Sequence, residues 1–470
     1  MKKIIFIVLV FVAGCKVPAI VQVENKQVVP TTFNQSKDSI NSADIKWKDF
    51  FADAYLAALI DTALKNNYEV LSTFQDIEIA KNNIRIKHGA LLPKVNGAVG
   101  LGLEKTARYT AAGAGNASTE ITEGHEVPEP IGDIFLGFRA SWEADIWHKL
   151  HNAKKAAFVK YLKTVEGRNF VVTNLVSEIA NSYYELLALD NQLDIIQQAI
   201  ELQKNELEIV KVQKEAAKAT ELAVKQFEAQ VYNSQGQQFD IQQKITETEN
   251  KINFLLGRYP QNIIRDKSQF NTKNLMAINI GLPSQLLQNR PDIKQAELEL
   301  QAAKLDVKVA RAEFYPTIGI NGVVGLQGFK PKYLVSGLEG LAFSFVGDLA
   351  APLINKNAII AEYNKANANQ ISVLYDYQKT ILNGYIEVSN EMSNIKNLEK
   401  YYDLKTKESA TLATAIDVAK DLFRSARANY LEVLTVQRDA LSAKLELVET
   451  KKRQLNAMTN IYKALGGGWK

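Results

Sequence analysis

The distribution of proline constrains this chain more than any other feature. A proline inside a helix costs about 3 kcal/mol, because it removes a backbone hydrogen bond and crowds the preceding turn. The sequence has none between Pro130 and Pro260 and none after Pro352. Glycine is scarce in the same tracts: beyond Gly137 only Gly167 and Gly236 precede Gly257 in the first, and Gly384 stands alone before Gly466 in the second. Val171, Val172, Leu175, Ile179, Tyr183, Leu186 and Leu187 follow steps of three and four, the period of a helix with one apolar face. Both tracts are predicted to hold very long helices. One of roughly 60 residues would reach ~90 Å, a length suited to a tube that crosses a compartment.

The two tracts belong to a duplication. Asn67 to Pro93 (NYEVLSTFQDIEIAKNNIRIKHGALLP) aligns without gaps on Arg290 to Pro316 (RPDIKQAELELQAAKLDVKVARAEFYP). Val70 meets Ile293, Ile77 meets Leu300, Ile84 meets Val307 and Pro93 meets Pro316. Downstream, Ala219 to Gly257 aligns on Ala428 to Gly466, pairing Leu222 with Leu431, Val224 with Val433 and Leu256-Gly257 with Leu465-Gly466. The chain is two tandem copies of one unit.

After each proline the period changes from helical to two. Val95, Val99, Leu101 and Leu103 alternate with Asn96, Gly100, Gly102 and Glu104; beyond Asp133, Ile134, Leu136, Phe138, Ala140 and Trp142 alternate with Phe135, Gly137, Arg139, Ser141 and Glu143. The second copy repeats this with Ile318, Ile320, Val324 and Leu326, then Leu341, Phe343 and Phe345 opposite Ser344 and Asp348. Period two means strands. The joining loops are long in the first copy (Lys105 to Gly132) and shorter in the second (around Gly328 to Gly337), so four strands in two hairpins are predicted. Alternation of this kind fits a half-buried soluble strand or a membrane barrel strand. No helices are left over to cover a soluble sheet, which favours the barrel. Four strands cannot close one, since about eight is the minimum. Three chains would supply twelve. The polar strand faces then put Arg139, Glu143 and Asp348 into the lumen, because a charge facing lipid at midplane costs about 2–4 kcal/mol. Trp142 and Trp147 fit either a membrane-interface girdle or packing at the strand–helix junction.

At the N-terminus, Lys2 and Lys3 precede an apolar run from Ile4 to Val12. It is too short to span a bilayer and reads as a signal peptide. Val12-Ala13-Gly14-Cys15 follows, containing the chain's single cysteine, and resembles a bacterial lipobox. Cleavage before Cys15 would make it an acylated anchor, with several acyl chains holding the membrane at about 0.8 kcal/mol per buried CH2. The competing readings are an incidental cysteine or a buried thiol. A formal charge of +4, of which Lys2 and Lys3 supply two, and mixed lysines and glutamates on the helices indicate solvated faces and no nucleic-acid partner. With 46% apolar and 23% charged residues the composition is that of a globular protein, not a collagen-like, disordered or polytopic helical one.

No GxSxG elbow, HExxH, Walker A sequence or cysteine pair occurs, so no catalytic residue, metal site or cofactor is predicted and the chain reads as a non-enzyme. Of four histidines only His148 and His151 are placed on one helical face, and no carboxylate is evident beside them. Four methionines, including Met1, are few for soft-metal ligation. Gly466-Gly467-Gly468 is expected to end the last helix; it lacks the surroundings of a phosphate loop.

Three segments carry a family resemblance: GLPSQLLQNRPDIKQAELELQAAKLDVKVARAEFYP (Gly281 to Pro316), FRSARANYLEVLTVQRDAL (Phe423 to Leu441) and IYKALGGGW (Ile461 to Trp469). They resemble the hallmark segments of TolC-like outer-membrane efflux proteins, in particular the NodT-type lipoproteins of resistance-nodulation-division (RND) pumps. SWEADIWHKL (Ser141 to Leu150) is similar to that family's strand-to-helix junction. The resemblance covers nearly the whole chain. It implies a mainly α fold with a transmembrane β-barrel part: a homotrimer with a twelve-strand barrel in the outer membrane and a periplasmic α-barrel closed at its inner end. It also implies passive export, coupled through a periplasmic adaptor (membrane fusion) protein to an inner-membrane RND transporter. The expected organisation is a signal peptide at 1–14, a lipid-anchored segment at 15–60, the first repeat at 61–260, a linker at 261–280 and the second repeat at 281–470.

Under that resemblance the periplasmic tips fall at Glu215 to Thr220 and Ser425 to Asn429. Family members commonly carry glycine there to end a helix in the left-handed conformation; this chain has Ala217 and Ala426, which predicts a tighter or more helical tip. Lys214, Lys218, Arg424 and Arg427 make the tips basic, suited either to adaptor or inter-protomer contacts or to ordinary helix-end placement, and Asp421 is an aperture or salt-bridge candidate. Two other functions are compatible with the sequence: a duct for secreted polypeptides, which shares the fold, and a coiled-coil envelope scaffold, which would have no membrane strands.

Overall fold

The computed structural model describes residues 18–19, 30–33, 40–272, 278–351, 356–425 and 427–470. The signal peptide, Cys15 and Ala426 lie outside them. Two compact units arise, each drawing on both repeats.

The first, built from Glu78–Leu162 and Leu298–Tyr375, carries the strands. Here β1 (Lys94–Glu104), β2 (Ile131–Ala144), β3 (Thr317–Gly328) and β4 (Leu341–Ala350) form one antiparallel sheet in the order β1-β2-β3-β4. The expected hairpins pair in full register, Asn96 opposite Arg139 and Val323 opposite Ser344, and β2 joins them through Arg139 opposite Val323. The loop after β1 is more structured than its composition suggested. It holds a helix at Ala111–Asn116, capped by Thr110, whose hydroxyl accepts from the Gly113 amide at 3.1 Å, and a small hairpin of Glu120–Thr122 with His125–Glu126.

The second unit, Asn25–Ile77, Lys163–Glu297 and Asp376–Lys470, is helical. The chain's helices are α1 (Ala54–Asn66), α2 (Tyr68–Gly89), α3 (Lys149–Glu215), α4 (Glu221–Leu255), α5 (Pro291–Ala312), α6 (Lys356–Arg424) and α7 (Tyr430–Ala464), besides shorter turns. The proline-free tracts thus hold helices of 67 and 69 residues, α3 and α6. The apolar steps read from the sequence face inward: Val172, Leu175, Ile179, Tyr183, Leu186 and Leu187 are all buried, packed with Leu56, Ile60 and Tyr462. The segment ahead of α1 joins this core, Phe50 stacking on Tyr462 at 4.0 Å while the Tyr462 hydroxyl donates to the Ile45 carbonyl at 2.6 Å. Asp53 caps α1 by accepting from the amides of Tyr55 and Leu56, each at 3.0 Å.

The duplication reappears as one closing device used twice. Asn67 donates to the carbonyl of Leu255 at 2.9 Å, and its repeat partner Arg290 donates to the carbonyl of Ala464 at 2.8 Å, so the residue just ahead of α2 or α5 holds the end of that repeat's last helix. Beside them Gly257 and Gly466 take positive φ (65° and 92°). A side chain on either would run into the backbone of Asn66 or Asn289, 2.4 and 2.6 Å away. The last helix of each repeat, α4 and α7, ends in the double hydrogen bond of a Schellman motif: Arg258 to Asn253 and Gly257 to Phe254 in one, Gly467 to Tyr462 and Gly466 to Lys463 in the other.

Among the described residues no helix is long and apolar enough to cross a membrane, a finding that leaves the strands untouched.

Candidate functional site

The sheet has two chemically distinct faces. Because side chains alternate, register sorts them without ambiguity. One face carries Val95, Val99, Leu101 and Leu103 of β1, Leu136, Phe138 and Trp142 of β2, Ile320, Val324 and Leu326 of β3, and Leu341, Phe343, Phe345 and Leu349 of β4. Much of it is bare: Leu101 is 80% exposed, Phe343 79% and Phe345 78%. Burying an apolar side chain of this size is worth about 1.5–3 kcal/mol, so a face left this open within one chain needs an apolar medium or a partner.

Arg139, Glu143 and Asp348 share the opposite face, with Asn96, Asp133, Ser141, Asn321, Gln327 and Ser344. The Arg139 guanidinium lies over the Phe135 ring, 5.5 Å from its centroid. Glu143 pairs with Lys149 at 2.6 Å, and Asp348 accepts from the Asn321 amide at 2.8 Å. Between those two carboxylates in the register stands Gly319, where a β-carbon would come 2.7 Å from the Asp348 oxygens. The sequence reading missed one polar pair, Gln327 donating to Asp133 at 2.8 Å, although both have the right parity. Ile131, Phe135, Val323 and Val346 are apolar residues on this face, and of them Phe135 is buried. Its ring covers Gly137 and Gly325, where added β-carbons would come within 2.9 Å of it.

The two tryptophans anchor the junction between strands and helices. Trp142 donates its indole N–H to the Leu91 carbonyl at 2.9 Å; Trp147 donates to the Pro316 carbonyl at 2.7 Å and stacks on Tyr315 at 4.6 Å. Both rings stay partly exposed, and their hydrogen bonds are those of packing at the strand–helix junction.

The tips fall at the register positions. α3 ends at Glu215 and α4 begins after Thr220, whose hydroxyl accepts from the Ala223 amide at 3.2 Å; α6 ends at Arg424 and α7 begins after Asn429, which accepts from the Glu432 amide at 3.0 Å. The expectation of an altered turn at the first tip is corrected. Ala217 adopts the left-handed conformation itself (φ 57°), with Lys218 N–H bonded to the Gln213 carbonyl at 2.7 Å and Ala217 N–H to Lys214 at 2.9 Å. The geometry glycine usually supplies is retained, because the paired carbonyls at the helix end outweigh the crowding of one methyl group. Ala426 lies outside the described residues, but the equivalent bond, Arg427 N–H to the Leu422 carbonyl at 2.8 Å, closes the second tip. Of the tip cations, Lys214 bridges to Glu221 at 2.5 Å and Arg424 to Asp421 at 3.6 Å. The Lys214 ammonium holds the Glu221 carboxyl below the usual range. Lys218 and Arg427 are exposed.

In the helical unit, three ion pairs join α3, α6 and α7: Lys405 with Glu446 at 2.6 Å, Lys452 with Glu185 at 2.7 Å and Lys420 with Glu206 at 2.8 Å.

The histidine pair needs correction. His148 precedes α3 instead of lying on its face, with φ 57°, and this turn brings Asp145 back onto the first turn of the helix. The carboxylate that the sequence did not reveal is therefore present.

Comparison with known proteins supplies the family. The model of the outer membrane efflux protein family matches residues 59–258 and 282–467, one match per repeat. The cation efflux system protein CusC of Escherichia coli O6:H1 is 25% identical over 476 residues, covering 100% of this chain and 99% of its own. The pyoverdine export outer membrane protein OpmQ of Pseudomonas aeruginosa is 27% identical over 437 residues, covering 91% and 89%. In structure, the open state of the Neisseria gonorrhoeae MtrE outer membrane channel superposes with a TM-score of 0.82 at 21% identity, covering 97% of this chain and 99% of that one, which establishes the fold.

Proposed function

The chain belongs to the outer membrane efflux protein family, and on that premise we propose that it is the passive exit duct of a tripartite pump. Three copies close a twelve-strand barrel in the outer membrane. A periplasmic adaptor protein and an inner-membrane RND transporter drive small molecules, whether drugs, toxic compounds or metal ions, into its helical periplasmic part. The observation that carries this reading is the four-stranded sheet, with one bare apolar face, one polar face, and free edges at β1 and β4. Four strands are too few to close, and joining edges between copies removes both unpaired edges while placing the apolar face in lipid.

In this reading Arg139, Glu143 and Asp348 line the lumen, where water screens their charge. Lys214, Ala217, Lys218, Asp421, Arg424, Ala426 and Arg427 form the periplasmic end that meets the adaptor or holds the aperture. Cys15 is the lipid anchor, and the duct has no enzymatic role and no cofactor. Relatives named for cation and pyoverdine export support a duct of wide cargo over one for secreted polypeptides. The scaffold alternative expected no membrane strands, and the four-stranded sheet with its bare apolar face speaks against it.

The test is planar-bilayer reconstitution of the purified protein together with a native mass measurement. Three copies and a stable conductance are expected; a monomer, or a trimer that never conducts even after substitution of the tip residues, would rule the duct out. For the anchor, Cys15→Ala is expected to abolish acyl labelling and weaken retention in the outer membrane. Labelling that persists in that variant would reject it.

A further inference from the structure

We infer that His148 and His151, with Asp145 orienting the second ring, form a site for a borderline divalent cation such as Zn2+ or Ni2+ at the junction of β2 and α3. Asp145 follows directly on the last residue of β2, and the chain then turns back through His148 into α3. The Asp145 carboxylate accepts from the Leu150 amide at 2.9 Å and the His151 amide at 2.8 Å, and its Oδ2 lies 2.6 Å from His151 Nδ1. An ionised carboxylate can only accept, so the bond needs the proton on Nδ1, and in the neutral form of that ring Nε2 is the nitrogen left to ligate. A carboxylate fixing the far nitrogen of an imidazole is the usual support of a metal-binding histidine. The His148 ring stands perpendicular to that of His151 with centroids 5.7 Å apart, and the three side chains each offer a ligand atom within 4.8 Å of the others. Among the described residues this is the only such cluster.

Helix capping accounts for Asp145 but for neither imidazole. Both histidines are exposed and so within reach of an ion, while the Asp145 side chain is only 7% exposed. Its negative charge also offsets the repulsion a cation would meet at a helix N-terminus. Two imidazole nitrogens beside a carboxylate suit Zn2+, Ni2+ or Cu2+, not the all-oxygen preferences of Mg2+ and Ca2+. Water would complete the coordination. A bound ion would tie the end of β2 to the first turn of α3, next to the Trp147 anchor.

The experiment uses the untagged full-length chain in detergent, treated with chelator and titrated with ZnCl2 by calorimetry, with thermal melting in parallel. The expected result is one Zn2+ per chain and a rise in melting temperature. His148→Gly is the informative variant, because glycine accepts a φ of 57° and the turn survives the loss of the ligand. It is expected to melt no lower than wild type without metal, to bind Zn2+ more than ~100-fold more weakly, beyond the 10–100-fold effect of an outer-shell partner, and to lose the thermal shift. His151→Ala should lose binding likewise, while His125→Ala, in the loop after β1, should retain it. Absence of saturable binding, or undiminished binding by His148→Gly, would overturn the inference.

Discussion

At the scale of single residues, Ala217 concentrates the tension between sequence and geometry. A β-carbon in the left-handed region costs about 1–2 kcal/mol, yet Ala217 sits there because Lys218 and its own N–H must reach the carbonyls of Gln213 and Lys214. Ala217→Gly removes that crowding but frees the unfolded chain by about 0.4–1 kcal/mol. The net expectation is a tip stabilised by up to ~1.6 kcal/mol, read as slower hydrogen exchange at the Lys218 amide, roughly fifteen-fold at most. Faster exchange would mean that the methyl group makes a favourable contact instead. At Trp147 the indole N–H is the only group that can satisfy the Pro316 carbonyl through this ring. Trp147→Phe keeps the stacking on Tyr315 and loses about 1 kcal/mol for the hydrogen bond, a drop measurable by denaturant unfolding and expected to vanish if Pro316 simply rebinds water.

At the scale of elements, the closing device of the second repeat is the most exacting feature. Gly466 has φ 92° and the Asn289 backbone 2.6 Å from where a β-carbon would lie, neither of which a flexible side chain can relieve. Gly466→Ala is therefore expected to destabilise the helical unit by at least ~2 kcal/mol, combining the left-handed cost with overpacking, whereas Gly236→Ala, in open space within α4, should be neutral or stabilising. The ion pairs between helices add a pH dependence of definite sign. The Lys405 ammonium, by its hydrogen bond, holds the Glu446 carboxyl below its ordinary 4.5. A carboxyl lowered on folding contributes stability above its unfolded pKa and loses it as pH falls through the folded value. Acidification from pH 6 to pH 3.5 should thus lower the melting temperature of the wild type more than that of Glu446→Gln; identical acid sensitivity would show the pair to be idle. Much of this was legible in the sequence. Leu256-Gly257 and Leu465-Gly466 align because they perform one task twice, and strand parity sorted Arg139, Glu143 and Asp348 onto one face. What escaped were contacts made by a reversal of the chain: Asp145 against His151, six residues on, and Asn67 reaching Leu255. Periodicity reports which face a residue occupies, not what a turn or a distant helix end brings to it.

At the scale of the whole molecule, assembly multiplies the effect of any change at the sheet. A charge on a lipid-facing strand position near midplane costs about 2–4 kcal/mol, and in a trimer the same substitution is made three times in one barrel. Phe345 and Ser344 are neighbours in the middle of β4 and point to opposite faces, Phe345 beside Gly322 and Ser344 beside Val323. Phe345→Arg places three guanidiniums in lipid at a combined cost of roughly 6–12 kcal/mol, comparable with the entire stability of an ordinary domain. Ser344→Arg places them in water, where they cost little and shift the local field toward anions. The expected outcome is that Phe345→Arg abolishes recovery of assembled protein from the outer membrane, while Ser344→Arg assembles normally and conducts anions in preference to cations, measured as a reversal potential across a salt gradient. If Phe345→Arg assembled as well as wild type, the apolar face would have to be covered by protein and not by lipid, and the sheet would belong to a different kind of assembly.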